Sequence, residues 1–340
     1  MAVTLRSFAK INIGLVIGPP GMRADGFHEL RTVYQTIALH DTLTLSASPA
    51  KHTTIEIKCK NKAVPADASN TCHHAATGVL AALGISAKVT IGIEKRLPVQ
   101  GGLGAASANA VATILGLERA LKKNLTAYDR LRIAEQVGSD VPLFLIGGTV
   151  GGAGRGEQVL PLPDLPELDV VIATPALPIS TPKAFSAWDA LFLSASKGHA
   201  AKNMRELTAP GQSAKLIGFS QELYAWLSRT NFSTTSGVPA RGGNRAEALL
   251  LDLVRTGIEN DFERVVFPQF PELRDIKRAL EREGAKYASL SGSGSSVYGL
   301  FISWAAAVKA AKRFNASGIP AQATKTLSRD QYWSRRKGLL

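Results

Sequence analysis

Period-two alternation runs through Thr54-Ile-Glu-Ile-Lys-Cys59 and again through Lys88-Val-Thr-Ile-Gly-Ile93, predicting two strands with one face toward a core. Between them, Cys72 to Leu83 is Ala-rich and helix-forming, and Gly84 stands where such a helix ends. A second helix is predicted over Ser107–Lys122, where Val111, Ile114, Leu115 and Leu121 fall near one face, and a third over Tyr128–Val137. Pro161, Pro163 and Pro166 then make a stiff crossing, read as the boundary between a domain over 1–165 and a second over 166–340. Beyond it, Val170–Ala173 reads as a buried strand. Helices are predicted over Pro182–Leu193, Ala214–Leu227, Arg245–Thr256, Glu272–Glu283 and Trp304–Phe314. Strands are predicted over Tyr287–Leu290, Ser296–Ile302 and Pro320–Lys325. The stretch Thr230–Asn244, rich in Ser, Thr, Gly and Arg, reads as a surface loop.

Composition narrows the class. The 340 residues are 45% hydrophobic and 20% charged, enough for a sizeable core in two ordinary domains. No apolar run reaches the roughly 18 residues that span a bilayer, and Met1 to Ala9 lack a secretory pattern. Cys59 and Cys72 build no disulfide framework and no zinc spacing, so a cytoplasmic setting is expected. A net charge of +13 favours anionic company (nucleic acid, anionic lipid or phosphorylated small molecules), or reads as a basic surface with no specific partner. Aromatics are only 6% and do not interleave with Lys and Arg in a stacking pattern, which disfavours nucleic acid.

The candidate chemistry sits in five places. Leu97-Pro-Val-Gln-Gly-Gly-Leu-Gly-Ala-Ala-Ser-Ala-Asn109 runs from a strand end through small residues into a helix start. There, free N–H groups and the helix dipole favour a phosphate, although neither common nucleotide spacing is present and a bare tight turn reads the same way. Ser7–Ile13 is predicted as a strand with Lys10 and Asn12 on one face, either a cationic site or a polar outer face. Arg23-Ala-Asp-Gly-Phe-His28 is a turn ending in an aromatic and an imidazole. Asp140, in Gly138-Ser-Asp-Val-Pro142, is either a helix N-cap or a base in a partly dry cleft. Ser291-Gly-Ser-Gly-Ser-Ser296 between two strands is either a hairpin turn or a nest for a phosphate oxygen.

Taken in order, Ala9-Lys-Ile-Asn12, the small-residue loop, Gly138–Pro142, Thr181-Pro-Lys-Ala-Phe185, Asn260-Asp261 and Ser291-Gly-Ser-Gly294 resemble the GHMP kinase superfamily over most of the chain. Arg23–His28 followed by Glu29-Leu30 is similar to the branch that phosphorylates a cytidine diphosphate-linked methylerythritol in non-mevalonate isoprenoid synthesis. The resemblance implies an α+β, two-domain GHMP kinase fold, with a ribosomal-protein-like α/β N-terminal half and a ferredoxin-like C-terminal half. It implies Asp140 as general base for the C2 hydroxyl and Lys10 as its cationic partner. Asn12 would bond the substrate, Phe27 and Phe185 would sandwich the cytosine, His28 would read its edge, and Thr181 would line the methylerythritol pocket. Pro98 and Gly101, Gly102, Leu103, Gly104, Ala105, Ala106 and Ser107 would wrap the phosphates of ATP. Asn70 and Lys95 would lie near the adenine, and Mg2+ would come with ATP, held mostly by phosphates and water. Small molecules, rather than nucleic acid or a membrane, are the expected partners. A sister kinase acting on another small alcohol is the alternative, with a nucleic-acid-binding protein behind it.

Two departures from the superfamily pattern stand out. Gln100, Ala105, Ala106 and Ala108 replace small or hydroxylated loop positions, so the loop path is expected to change. Phe27 stands where Tyr is usual, keeping the stacking face without the phenol.

Overall fold

The computed structural model describes residues 2–196, 212, 214–219, 221 and 258–336. The predicted helix Arg245–Thr256, the loop Thr230–Asn244 and half of Ala214–Leu227 lie outside the described residues; within the last, 214–219 and 221 are helical.

Two long strands organise the first half. β1 (Ala2–Ile17) and β2 (Leu30–Pro49) pair antiparallel over nearly their whole length, with register shifts at Phe8/Lys10 and Asn12/Gly14. The opposite edge of β2 is shared. Its C-terminal part pairs with β4 (Ala87–Glu94), which continues to a parallel β3 (Thr54–Cys59); its N-terminal part pairs with β5 (Thr149–Gly154), followed by β6 (Gln158–Pro161). Helices α1 (Thr71–Leu83), α2 (Ala105–Leu121) and α3 (Ala127–Val137) cover this six-stranded sheet. Their small and branched residues (Ala75, Ala76, Val111, Ile114) fill a core with Leu43, Leu45, Val89 and Ile91. As predicted, Gly84 ends α1 in the left-handed conformation.

Residues 162–168 cross to a second sheet, all antiparallel, in the order β10 (Ala321–Lys325), β7 (Asp169–Ala173), β9 (Val297–Phe301), β8 (Tyr287–Leu290). Helices Pro271–Arg282 and Trp304–Ala316 pack on one of its faces. Val170, Ile172, Tyr298 and Leu300 pack against Ile11, Ile13 and Val33 of the first sheet, so β1 is buried on both sides. Tyr298 donates to the Asn12 carbonyl at 2.8 Å across this seam. The last described helix, Arg329–Arg336, returns to the first half, where Tyr332 is fully buried and donates to the Phe144 carbonyl at 2.7 Å. Sequence periodicity did not reveal β2, β5 or β6. β2 carries buried polar residues (Thr32, Gln35, Thr36) that break its alternation, and β5 is half glycine.

Candidate functional site

The phosphate-loop candidate leaves β4 and turns into α2, which begins at Ala105, two residues earlier than predicted. Gly104 sets that start. It caps the helix at φ +66, and a Cβ there would lie 2.9 Å from Phe144 Cζ and 3.1 Å from Lys10 Cγ. No side chain caps α2, so its first N–H groups are available to an anion. The replacements Ala105, Ala106 and Ala108 fall inside the helix, where φ is ordinary, so the expected change of path does not arise from them. Gln100 is the replacement that takes a left-handed φ, +59.

Around this loop lies a cavity of about 340 Å3, lined by Val64, Ile93, Pro98, Val99 and the backbone of Gly101–Ser107. Asn70 and Lys95 line it too, but with their polar ends engaged by the protein. Asn70 caps α1, accepting from the Cys72 N–H at 2.9 Å and donating to the Pro65 carbonyl at 2.6 Å. Lys95 is 2.8 Å from the fully buried Asp41, which also accepts from the N–H groups of Arg96 and Leu97 and from Asn109. Asp41 thus ties the end of β4 to the start of α2 and fixes the ends of the loop. Asn109 Oδ1, on the same wall, is buried with no hydrogen-bond partner among the described residues.

A second cavity, about 660 Å3, adjoins the first, and Gly102, Gly104 and Ser107 line both. Lys10 and Asp140, 130 positions apart in sequence, meet on its wall with Nζ 3.4 Å from Oδ2. Lys10 donates to Asn12 Oδ1 at 2.6 Å, as the period-two reading requires, and Asn12 in turn donates to Thr32 Oγ1 at 2.8 Å. Tyr34 donates its phenol to Asp140 Oδ1 at 3.1 Å, and Lys10 Nζ lies 5.6 Å from that ring. Burial, with the Asp140 charge beside it, pushes the Tyr34 pKa well above its ordinary value, so this phenol keeps its proton. Asp140 does not act as an N-cap: the short helix α4 (Leu143–Ile146) starts after Pro142, and the carboxylate faces Lys10 and Tyr34.

The second glycine-rich turn closes on the loop. Ser291 donates its hydroxyl to the Gly102 carbonyl at 3.0 Å, and the Ser296 N–H reaches the Gly101 carbonyl at 3.1 Å. A Cβ on Gly102, at φ +74, would lie 2.0 Å from the Ser291 carbonyl oxygen. Asn260 holds the turn from behind, donating to the carbonyls of Leu290 and Gly292. Asp261 takes the Ile17 N–H at 2.9 Å.

The far wall of this cavity carries Phe27, His28, Thr181 and Phe185. Thr181, at the start of α5 (Thr181–Ser196), shares a 2.7 Å hydrogen bond with Ser293. Phe27 is exposed under the Arg155 guanidinium, 4.8 Å from the ring centroid. The parallel ring pair here is His28 on Phe185, 4.7 Å apart. Sequence reasoning missed Tyr34, Arg155 and Asp189. Tyr34 lies in the unread strand β2, and Arg155 in a glycine-rich turn without a pattern. Asp189 stands one helical turn after Phe185, a spacing that carried a signal.

Comparison with known proteins gives the site its family. The N-terminal domain of GHMP kinases matches residues 70–148, and the GHMP kinase C-terminal domain matches 246–319. The chain is 38% identical over 297 residues (87% of it, 80% of the relative) to a 4-diphosphocytidyl-2-C-methyl-D-erythritol kinase of Solibacter usitatus. It is 33% identical over 317 residues (93% and 95%) to the protein of the same name from Prosthecochloris aestuarii. A crystal structure of 4-(cytidine 5'-diphospho)-2C-methyl-D-erythritol kinase superposes with a TM-score of 0.66 at 26% identity, covering 95% of this chain and 99% of the other. A homoserine kinase from Cytophaga hutchinsonii shares the fold at 20% identity and a TM-score of 0.65, over 96% and 95% of the two chains. With both domain matches, identities above 30% over most of the chain and the fold in agreement, the chain belongs to the GHMP kinases and, within them, to the 4-diphosphocytidyl-2-C-methyl-D-erythritol kinase family.

Proposed function

We propose that this chain transfers the γ-phosphoryl group of ATP to the C2 hydroxyl of 4-diphosphocytidyl-2-C-methyl-D-erythritol, a step of non-mevalonate isoprenoid synthesis, in the cytoplasm. The observation that carries the reading is the Lys10–Asp140 pair on the wall of the larger cavity, with Lys10 packed against Gly104, which lines both cavities. ATP takes the smaller cavity, with its adenine against Val64 and Ile93 and its phosphates on the N–H groups of the α2 start. The cytidine substrate takes the larger one, its base against Phe27, His28 and Phe185 and its methylerythritol end toward Thr181 and Asn12. Arg155, a cation on that wall, suits the diphosphate between them.

Asp140 takes the proton of the C2 hydroxyl as its oxygen bonds to the γ phosphorus. The bond from that phosphorus to the bridging oxygen breaks, and ADP leaves with the electron pair. Lys10, fixed by Asn12, sets a positive charge beside the negative charge in transfer. Among the described residues, no three His, Cys, Asp or Glu side chains gather as a cation site. The Ser107 hydroxyl, which lines both cavities, would be a protein oxygen for a Mg2+ ion brought by ATP and held mostly by phosphates and water; such an ion would neutralise phosphate charge. We assign residues 1–165 to the loop and the catalytic pair, and 166–340 to the completion of the substrate cleft. The test is ADP release with ATP, Mg2+ and the cytidine substrate, with the product identified by 31P NMR. Turnover of mevalonate or homoserine in place of the cytidine compound overturns the substrate assignment.

A further inference from the structure

His28 meets two groups on one helix. Its ring lies parallel to Phe185, with centroids 4.7 Å apart and planes 15° from parallel, and its Nε2 is 2.6 Å from Asp189 Oδ1. Phe185 and Asp189 are four apart on α5, one turn above the other on the same face. Trp188 beside them is fully buried and donates to the Gly18 carbonyl at 3.2 Å, pinning the helix to the segment that leads into His28. Among the described residues, Asp189 is the one hydrogen-bond partner of this imidazole. Nδ1 has none among those residues, and His28 lines the larger cavity.

An ionised carboxylate only accepts. A neutral imidazole bonded to it through Nε2 therefore carries its proton there and presents Nδ1 as an acceptor. The same logic lets a carboxylate fix the imidazole tautomer of hydrolase triads. An acceptor in this place separates the two common pyrimidines. Cytosine offers a 4-amino donor where uracil offers a carbonyl oxygen, which would set two acceptors against each other.

We propose that Asp189 is a positioning residue that holds His28 in the Nε2–H tautomer, so that Nδ1 selects the 4-amino group of a cytosine nucleotide over the carbonyl of uracil. This rests on the cytidine reading given above; it adds the residue that enforces the choice. Asp189 touches no substrate atom in this scheme and acts through the imidazole.

The test compares kcat/KM for the cytidine diphosphate-linked substrate and its uridine diphosphate analogue, at about pH 8.5, where an ordinary imidazole is neutral. The wild type prefers the cytidine compound by about 100-fold. In Asp189→Asn the amide donates to Nε2, the ring proton moves to Nδ1, and the preference falls at least tenfold, through KM more than kcat. The 15N spectrum of His28 reports the tautomer directly: Nε2–H in the wild type and Nδ1–H in the variant, a shift that a merely structural role does not produce. An unchanged cytidine-to-uridine ratio in a folded Asp189→Asn protein overturns the inference while leaving the substrate reading intact. Nδ1–H in the wild type overturns it without recourse to any variant. A wild type that turns over neither pyrimidine substrate overturns the cytidine reading, and this inference with it.

Discussion

Lys10 and Asp140 should behave as one catalytic unit, and a double-mutant cycle over Asp140→Asn and Lys10→Met measures it. Asparagine keeps an acceptor for Tyr34 but cannot take a proton, so kcat should fall by about 10²–10⁴. Methionine keeps the buried volume of Lys10 but removes its charge, at a cost of about 10²–10³. Two independent contributions would multiply in the double variant. Groups that work on the same proton and the same developing charge do not, and the double variant should lie within about tenfold of the worse single one. Stability should hardly follow. At 3.4 Å the gross attraction is about 5 kcal/mol for an effective dielectric of about 20. Desolvation of Lys10, whose side chain is 3% exposed, offsets most of it, and the Asp140 side chain is 36% exposed. Asp140→Asn leaves Lys10 bonded to Asn12, so a loss of about 1–2 kcal/mol is expected, and Lys10→Met should change stability by less than about 1 kcal/mol. ADP release in a coupled assay gives the rates, and urea unfolding gives the stabilities. Multiplicative losses in the double variant, or an Asp140→Asn enzyme within tenfold of wild type, would refute the shared role.

Three further outcomes follow from the geometry. Tyr34→Phe removes a donor to Asp140 at 3.1 Å and should lower kcat about tenfold, with KM for ATP unchanged; an unaltered kcat removes Tyr34 from the site. Gly102→Ala sets a Cβ 2.0 Å from the Ser291 carbonyl at a left-handed φ, so the loop and the Gly-Ser turn cannot both keep their places. A loss of about 2–4 kcal/mol with a raised KM for ATP is expected, and a wild-type melting curve would contradict the close approach. Burial pushes the Cys72 thiol up to about 11, so at pH 8 in the folded protein it is almost wholly protonated and a poor nucleophile. The half-buried Cys59 should react first with a thiol reagent, leaving Cys72 to react on unfolding; equal rates in the native protein would show that Cys72 is not enclosed.

Helices and short strands were legible where burial has one period. Thr54–Cys59 and Tyr287–Leu290 match their predicted bounds because each shows local alternation or a short apolar run between turns. β1 shows where that logic stops. It is buried on both faces, so its apolar run carries no contrast, and register shifts at Phe8/Lys10 and Asn12/Gly14 flank its two functional residues. Between those shifts period two still holds, which is why Lys10 and Asn12 were read correctly as sharing a face. Their partners were not readable, because Thr32 and Tyr34 come from a strand whose buried polar residues erase its pattern. Small residues at Gly102 and Gly104 were visible as a phosphate loop, but not as the places where Ser291 and Lys10 press against it. A local motif records what the backbone must do, and the groups it meets are fixed by the seam between two sheets. Removing a contact that supports the turn at that seam, such as Asn260 to the Gly292 carbonyl behind Ser291, should therefore disturb the phosphate loop although Asn260 lies in neither cavity wall.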